Sequence, residues 1–330
     1  MLATLQIPDP SCNMRVSPKL NTKAEQPTVL LTGASSQLGV FLIPRLLAAG
    51  FRVIALSRRA SGDSTGPDEQ LMWKHPGSFG IGSTGGESGL PERVEMLISC
   101  GPIEIASEAV ILCPGLERVV VFSTSSVFTK ASSPDGSENR QIVDILAREA
   151  QLEALCSDRG LALAVFRPTL IYGCGLDRNI SLLAAWIRRL GWLPLAGGAG
   201  GLRQPVHADD LASLAVNALL TDKPVNLDSP ACGGTTLTYR QMVELIFDAL
   251  EKPRRIISLP PWMMASLVRL LGLLPRWRRV NPQMVLRQNT DLVFDDSALK
   301  EYLDFRPRPF KPLAADFEIL PQVEKYRLSN

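Results

Sequence analysis

An apolar run, Thr28–Thr32, breaks at Gly33 into a turn that reads GASSQLG. Apolar residues at helical spacing then run from Leu38 to Leu47, until Gly50 stops them. A second apolar run, Phe51–Leu56, follows and ends in Ser57, Arg58 and Arg59. Strand, crossover helix and strand within about thirty residues predict a parallel βαβ unit. This feature constrains the chain more than any other.

The turn also predicts a ligand. Gly33 permits a tight exit from the strand, and Gly39 lets the helix lie close to the sheet, so that free N–H groups at the helix start point at a pyrophosphate. A dinucleotide-binding turn normally carries a third glycine where this chain has Ser36. Its Cβ costs some fit, while its hydroxyl can donate to a phosphate oxygen. Gly33, Ser35, Ser36, Gln37, Leu38 and Gly39 are the candidate cofactor contacts; an ordinary strand-to-helix turn fits two glycines as well. An acidic residue at the end of the second strand would bind a ribose 2′-hydroxyl. Arg58 and Arg59 stand there instead and suit a 2′-phosphate, which favours NADP and leaves NAD open, unless the two arginines are merely solvated.

Composition narrows the class. Over 330 residues, 45% hydrophobic and 21% charged content is that of a soluble globular protein. With 35 basic against 33 acidic residues, no global field favours nucleic acid or an anionic membrane. Six scattered cysteines and two histidines, His75 and His207, argue against a zinc site or a disulfide framework and for a reducing cytoplasm. Residues 1–26 are polar, broken by prolines and without an apolar core of signal-peptide length, so they read as a loose tail. Residues 60–92 are rich in Gly, Ser and Thr; one expected strand is weak or short there, beside a mobile loop. Val94–Ser99 and Arg118–Ser123 read as buried parallel strands.

The turn, then VVVFSTSSVF (Val119–Phe128), FRPTLIYGCGLDRNI (Phe166–Ile180) and RQPVHADDLA (Arg203–Ala212), occur in an order that resembles the extended short-chain dehydrogenase/reductase superfamily. Within it they resemble an atypical branch of the NAD(P)-dependent epimerase/dehydratase family, over about residues 27–312. The resemblance implies an α/β fold: a Rossmann-type doubly wound parallel sheet over 27–175 and a smaller C-terminal substrate-binding cap over 176–330, with 203–230 returning to the first part. It places the catalytic hydroxyl at Thr124, with Ser126 facing substrate and Tyr172 near the cleft as a substitute acid. A Ser/Thr-rich loop satisfying its own backbone is the alternative for Thr124.

The family's tyrosine, followed four positions later by lysine, is missing. None of the four tyrosines has that partner. On the helix NRQIVDILAREAQLEAL (Asn139–Leu155), the family's spacing puts Ile145 in the tyrosine position and Glu149 in the lysine position. A shift by one residue gives Asp144 and Arg148, a pair that more simply supports a helix surface. The Asp–Glu pair of the family's dehydratases is replaced by Ser125 and Ser126, so elimination of water lacks its acid and base.

In the second half, the resemblance puts Asn179 and Arg203 against a nucleotide-sugar and its diphosphate, with Arg287 a weaker second phosphate contact. Each could equally be a structural partner. His207 starts a helix that Asp209 and Asp210 can cap. Residues 260–283 combine leucines with arginines in a stretch too short to span a bilayer, which reads as a cap helix or as a peripheral membrane contact. The expected function is that of an NADP-dependent oxidoreductase or epimerase acting on a small-molecule substrate, a sugar nucleotide or a similar hydroxyl/keto compound. The rival is a non-catalytic NADPH-binding structural or sensing protein. A membrane-surface accessory protein is a third reading, and a homodimer stays open.

Overall fold

The computed structural model describes residues 26–60, 64–65, 69–79, 93–130, 136–264, 266 and 287–319. In chain order the elements are β1 (Thr28–Thr32), α1 (Gly39–Ala48), β2 (Arg52–Leu56), β3 (Ser64–Thr65), β4 (Leu71–Lys74), β5 (Met96–Ser99), α2 (Ile103–Leu112), β6 (Arg118–Phe122), α3 (Ser126–Lys130), α4 (Gly136–Asp158) and β7 (Ala162–Pro168). There follow β8 (Ile171–Tyr172), α5 (Ile180–Leu190), β9 (Leu193–Ala196), β10 (Leu202–Arg203), β11 (Val206–His207), α6 (Ala208–Leu220), β12 (Leu227–Ala231), β13 (Leu237–Thr238), α7 (Tyr239–Ala249), β14 (Ile256–Leu259) and α8 (Ser297–Leu303).

Eight strands form the main sheet in the order β12-β7-β6-β5-β1-β2-β4-β3. Every pairing is parallel except that of the two-residue β3 at the edge. β1 and β7 are buried along their whole length, which is why both sequences are nearly continuous apolar runs rather than alternations. The strand expected to be weak within 60–92 is β4, four residues reading LMWK between the two glycine-rich stretches. Residues 80–92 lie outside the described residues, as do the tail at 1–25 and most of 260–283.

Helices cover both faces. On one, Leu42, Ile43 and Leu46 of α1 share a core with Leu211, Ala212, Leu214, Ala215 and Leu219 of α6, and with Val29 and Leu31 of β1. On the other, Ala106 and Val110 of α2 and Leu152 and Cys156 of α4 pack on Val119, Val121, Leu163 and Val165. This is the doubly wound architecture. Chain order reverses direction across the sheet between β1 and β5, and open α/β sheets bind ligands outside the carboxyl ends of the strands at such a point. A second core gathers Ile180, Ala184 and Ile187 of α5 with Met242, Val243, Ile246 and Phe247 of α7, and with Leu195, Tyr172 and Phe310. α6 and β12 belong to the main sheet and its covering layer. No helix among the described residues is long and apolar enough to cross a membrane.

Candidate functional site

The turn after β1 is built by backbone constraints. Gly33 sits at φ +67°, and a Cβ there would come within 2.9 Å of the carbonyl group of Cys100, just past the end of β5. At Gly39 a Cβ would meet the carbonyl oxygen of Ala34 at 2.2 Å, so this glycine serves close approach of the helix start to its own turn. Ser36 takes part in the turn: its Oγ accepts from the Gly39 amide at 3.2 Å, leaving the hydroxyl proton to donate elsewhere. The amides of Ser35, Gln37 and Leu38 reach no backbone carbonyl among the described residues, as expected of the first N–H groups at a helix start. The side-chain amide nitrogen of Gln37 is buried without a hydrogen-bond partner. A set of amide donors without acceptors fits a phosphate-bearing cofactor; the residues that would hold it are the turn residues 33–39.

At the end of β2, Ser57 is buried and its Oγ lies 2.9 Å from Ser35 Oγ, tying the strand end to the turn. Ser57 Oγ also accepts from the Arg59 amide at 3.2 Å. The side chains of Arg58 and Arg59 are exposed beside it.

Thr124 and Ser126 follow β6 on the same sheet edge and are half-buried. Thr124 Oγ1 accepts from the Ser126 amide at 3.1 Å, which starts α3 and leaves the threonine proton available to a ligand oxygen. Ser125 turns away and donates to the Pro168 carbonyl at 2.9 Å.

Beneath α4 lies a charged network that the sequence reading did not find. Arg167 of β7, 5% exposed, grips Glu149 with both terminal nitrogens, at 3.0 and 2.8 Å. It grips Asp228 of β12 through Nε and Nη2 at 2.6 Å each. Ser123 Oγ donates to Glu149 Oε1. A charged residue inside the fully buried run ALAVFRP was the available signal, because such a group must be paired. Ile145 is half-buried and Asp144 exposed, while Arg148 pairs with Glu104 at the start of α2 rather than with Asp144.

The remaining candidates are placed as follows. Tyr172 is 1% exposed, with its ring 5.0 Å from that of His207 and 4.9 Å from that of Phe310; burial, with the charges of Asp316 and Asp210, pushes its phenol well above the ordinary range. A role as acid would require this packing to open. Asn179 is exposed ahead of α5, its backbone N–H donating to Asp177 Oδ1 at 2.9 Å. Arg203 is buried and donates to the carbonyls of Leu202 and Thr290 at 2.7 Å each and to that of Arg287. The Arg287 side chain pairs with Glu138 at the start of α4.

One expectation is corrected. His207, not Asp209 or Asp210, caps α6: its Nδ1 accepts from the Asp209 amide at 3.1 Å. The two aspartates are drawn instead to Arg45 and Arg308, because guanidinium groups from α1 and from the segment after α8 reach them.

No family model matches the chain. Among solved structures, a UDP-N-acetylglucosamine 4-epimerase from Methanobrevibacter ruminantium, in complex with UDP-N-acetylmuramic acid, superimposes with a TM-score of 0.64 at 15% identity, over 92% of this chain and 97% of that one. A UDP-glucuronic acid 4-epimerase from Bacillus cereus in complex with NAD gives 0.61 at 14% identity, over 91% and 96%. The chain has the epimerase/dehydratase fold. In sequence it is 27% identical over 159 residues to UDP-glucose 4-epimerase of Vibrio cholerae, covering 48% of this chain and 46% of that protein. It is equally 27% identical over 224 residues to an uncharacterised protein of Sinorhizobium fredii (64% and 54%). The mitochondrial NADH dehydrogenase 1 alpha subcomplex subunit 9 of Arabidopsis thaliana is 27% identical over 183 residues (52% and 44%). The matches thus span about half the length of these curated relatives. The resemblance to epimerase/dehydratase enzymes therefore holds in fold, and the sheet edge that carries Thr124 is the carboxyl edge of that fold.

Proposed function

We propose that the chain binds NADP(H) and acts as an oxidoreductase or epimerase on a sugar nucleotide or a similar hydroxyl/keto substrate. One observation carries the reading: the turn 33–39 presents amide donors without backbone acceptors, beside the strand end that bears Arg58 and Arg59. The turn amides, the Ser36 hydroxyl and the orphaned Gln37 amide would hold the pyrophosphate, and the two guanidinium groups the 2′-phosphate. The nicotinamide would supply or accept the hydride. Thr124 holds the substrate oxygen through its available hydroxyl proton and favours the charge that develops there.

A second reading has its own observation. Ile145 and the ion-paired Glu149 offer no phenol and no lysine on α4, which favours a protein that keeps NADPH as a structural or sensing ligand. Titration calorimetry with NADPH and NADH tests the cofactor reading, and an absence of binding to either ends both accounts. Oxidation of bound NADPH by keto-sugar nucleotides, lost in Thr124→Ala, supports the enzyme; tight binding without turnover supports the sensor.

A further inference from the structure

The network around Arg167 bears on the missing acid/base. Two carboxylates, Glu149 and Asp228, share one guanidinium, so one negative charge is left over. Water reaches the Asp228 side chain, which is 53% exposed, but hardly reaches Glu149 at 9%. The surplus charge therefore lies on the solvent side, at Asp228, while both Nη atoms of Arg167 hold Glu149 in place beside Ser123. Ser123 donates its single proton to Glu149 Oε1. Of the two lone pairs on its oxygen, one faces Arg167 Nη1 at 3.3 Å and the other is left to accept a hydrogen bond. Ser123 is half-buried at the carboxyl end of β6, immediately before Thr124.

We propose that Ser123 and Glu149 form the proton relay of the reaction proposed above, on which this inference rests. When an alcohol is oxidised, its O–H bond breaks and the proton bonds to Ser123 Oγ, while the Ser123 proton passes to the Glu149 carboxylate. The electron pair of the O–H bond becomes the second bond of the carbonyl, and the pair of the adjacent C–H bond leaves as hydride to the oxidised nicotinamide dinucleotide. Reduction of a ketone runs the same transfers backwards. Arg167 is a positioning residue: its planar fork fixes the carboxylate so that Oε1 faces the serine.

The test uses the full chain as Ser123→Ala, Ser123→Thr, Glu149→Gln and the double variant Ser123→Ala/Glu149→Gln. Three quantities are read: thermal midpoint, NADPH affinity by fluorescence titration, and NADP reduction with a panel of sugar-nucleotide alcohols. Ser123→Ala and Glu149→Gln should each lower kcat by ~10²–10⁴-fold while NADPH affinity stays within about threefold. The double variant should lose no more than either single one, because the two residues act as a unit. Ser123→Thr, which keeps the hydroxyl, should stay within about tenfold of the parent. Turnover that survives Ser123→Ala overturns the relay and leaves the enzyme reading standing, with Glu149 a structural clamp. Should Glu149→Gln fail to fold, Ser123→Ala alone decides. NADPH binding with no turnover by the parent overturns the relay together with the enzyme reading, in favour of the sensor.

Discussion

At the scale of single residues, two kinds of position dominate. Gly39 is fixed by contact: the added methyl of Gly39→Ala would fall 2.2 Å from the Ala34 oxygen. The variant should therefore lose ~1–3 kcal/mol of stability in urea denaturation and bind NADPH more weakly in the same titration used for the parent. Arg167 is fixed by charge. Arg167→Ala would leave Glu149 buried without its counter-ion, so chemical denaturation should show a loss of ~3–5 kcal/mol. The two positions differ in how legible they were. The glycines could be read because the conformation they permit is local. Arg167 announced only that it needed a partner; its partners lie 18 and 61 residues away, and no local pattern names them. The unusual Ser36 was legible as a departure, but its service to the Gly39 amide depends on the turn's actual path.

Between elements, the start of α6 is a junction. Asp209 bonds Arg45 of α1 at 2.7 Å and Arg308 at 2.8 Å, and Arg308 also bonds Asp210. Burial alone would raise the Asp209 carboxyl, but the two guanidinium groups outweigh it and hold the group below the usual carboxylate range. A carboxylate with a folded value below its unfolded value of about 3.9 stabilises fully above about pH 4. That contribution is lost as pH falls through the folded value. Thermal midpoints measured from about pH 7 down to about pH 2 should fall steeply below about pH 4, and the fall should be shallower in Asp209→Asn. The sequence placed two aspartates at a helix start and so suggested capping; the arginines that claim them come from other parts of the chain. At the end of β2, Arg58→Ala/Arg59→Ala should weaken NADPH by roughly ten- to a hundredfold, the contribution of one or two charge-assisted hydrogen bonds. NADH should be nearly unaffected. Equal losses for both nucleotides would instead place the arginines outside the 2′-phosphate site.

For the molecule as a whole, a cofactor seated at the turn joins β1, α1, β2 and the strand ends of the main sheet, so binding should register as global stabilisation. At NADPH about a hundredfold above its dissociation constant, the gain is ~2.7 kcal/mol, readable as a rise in the thermal midpoint that inorganic phosphate at equal ionic strength does not reproduce. The βαβ start, the parallel sheet and the glycine-bounded turn were determined by sequence alone, since apolar periodicity and glycine placement act over a few residues and β1 had to be buried on both faces. The short β4 was hard to read for the same reason: four residues between glycine-rich stretches carry little periodicity. Only the tertiary structure decided which charges meet. Arg203 directs its donors at carbonyls 84 and 87 residues away, Arg287 reaches Glu138 across 149 residues, and Glu149 meets Ser123 and Arg167 under α4. Ion pairs and side-chain hydrogen bonds depend on distances of a few ångströms between separately folded elements, and those distances exist only once the sheet and its helices have packed.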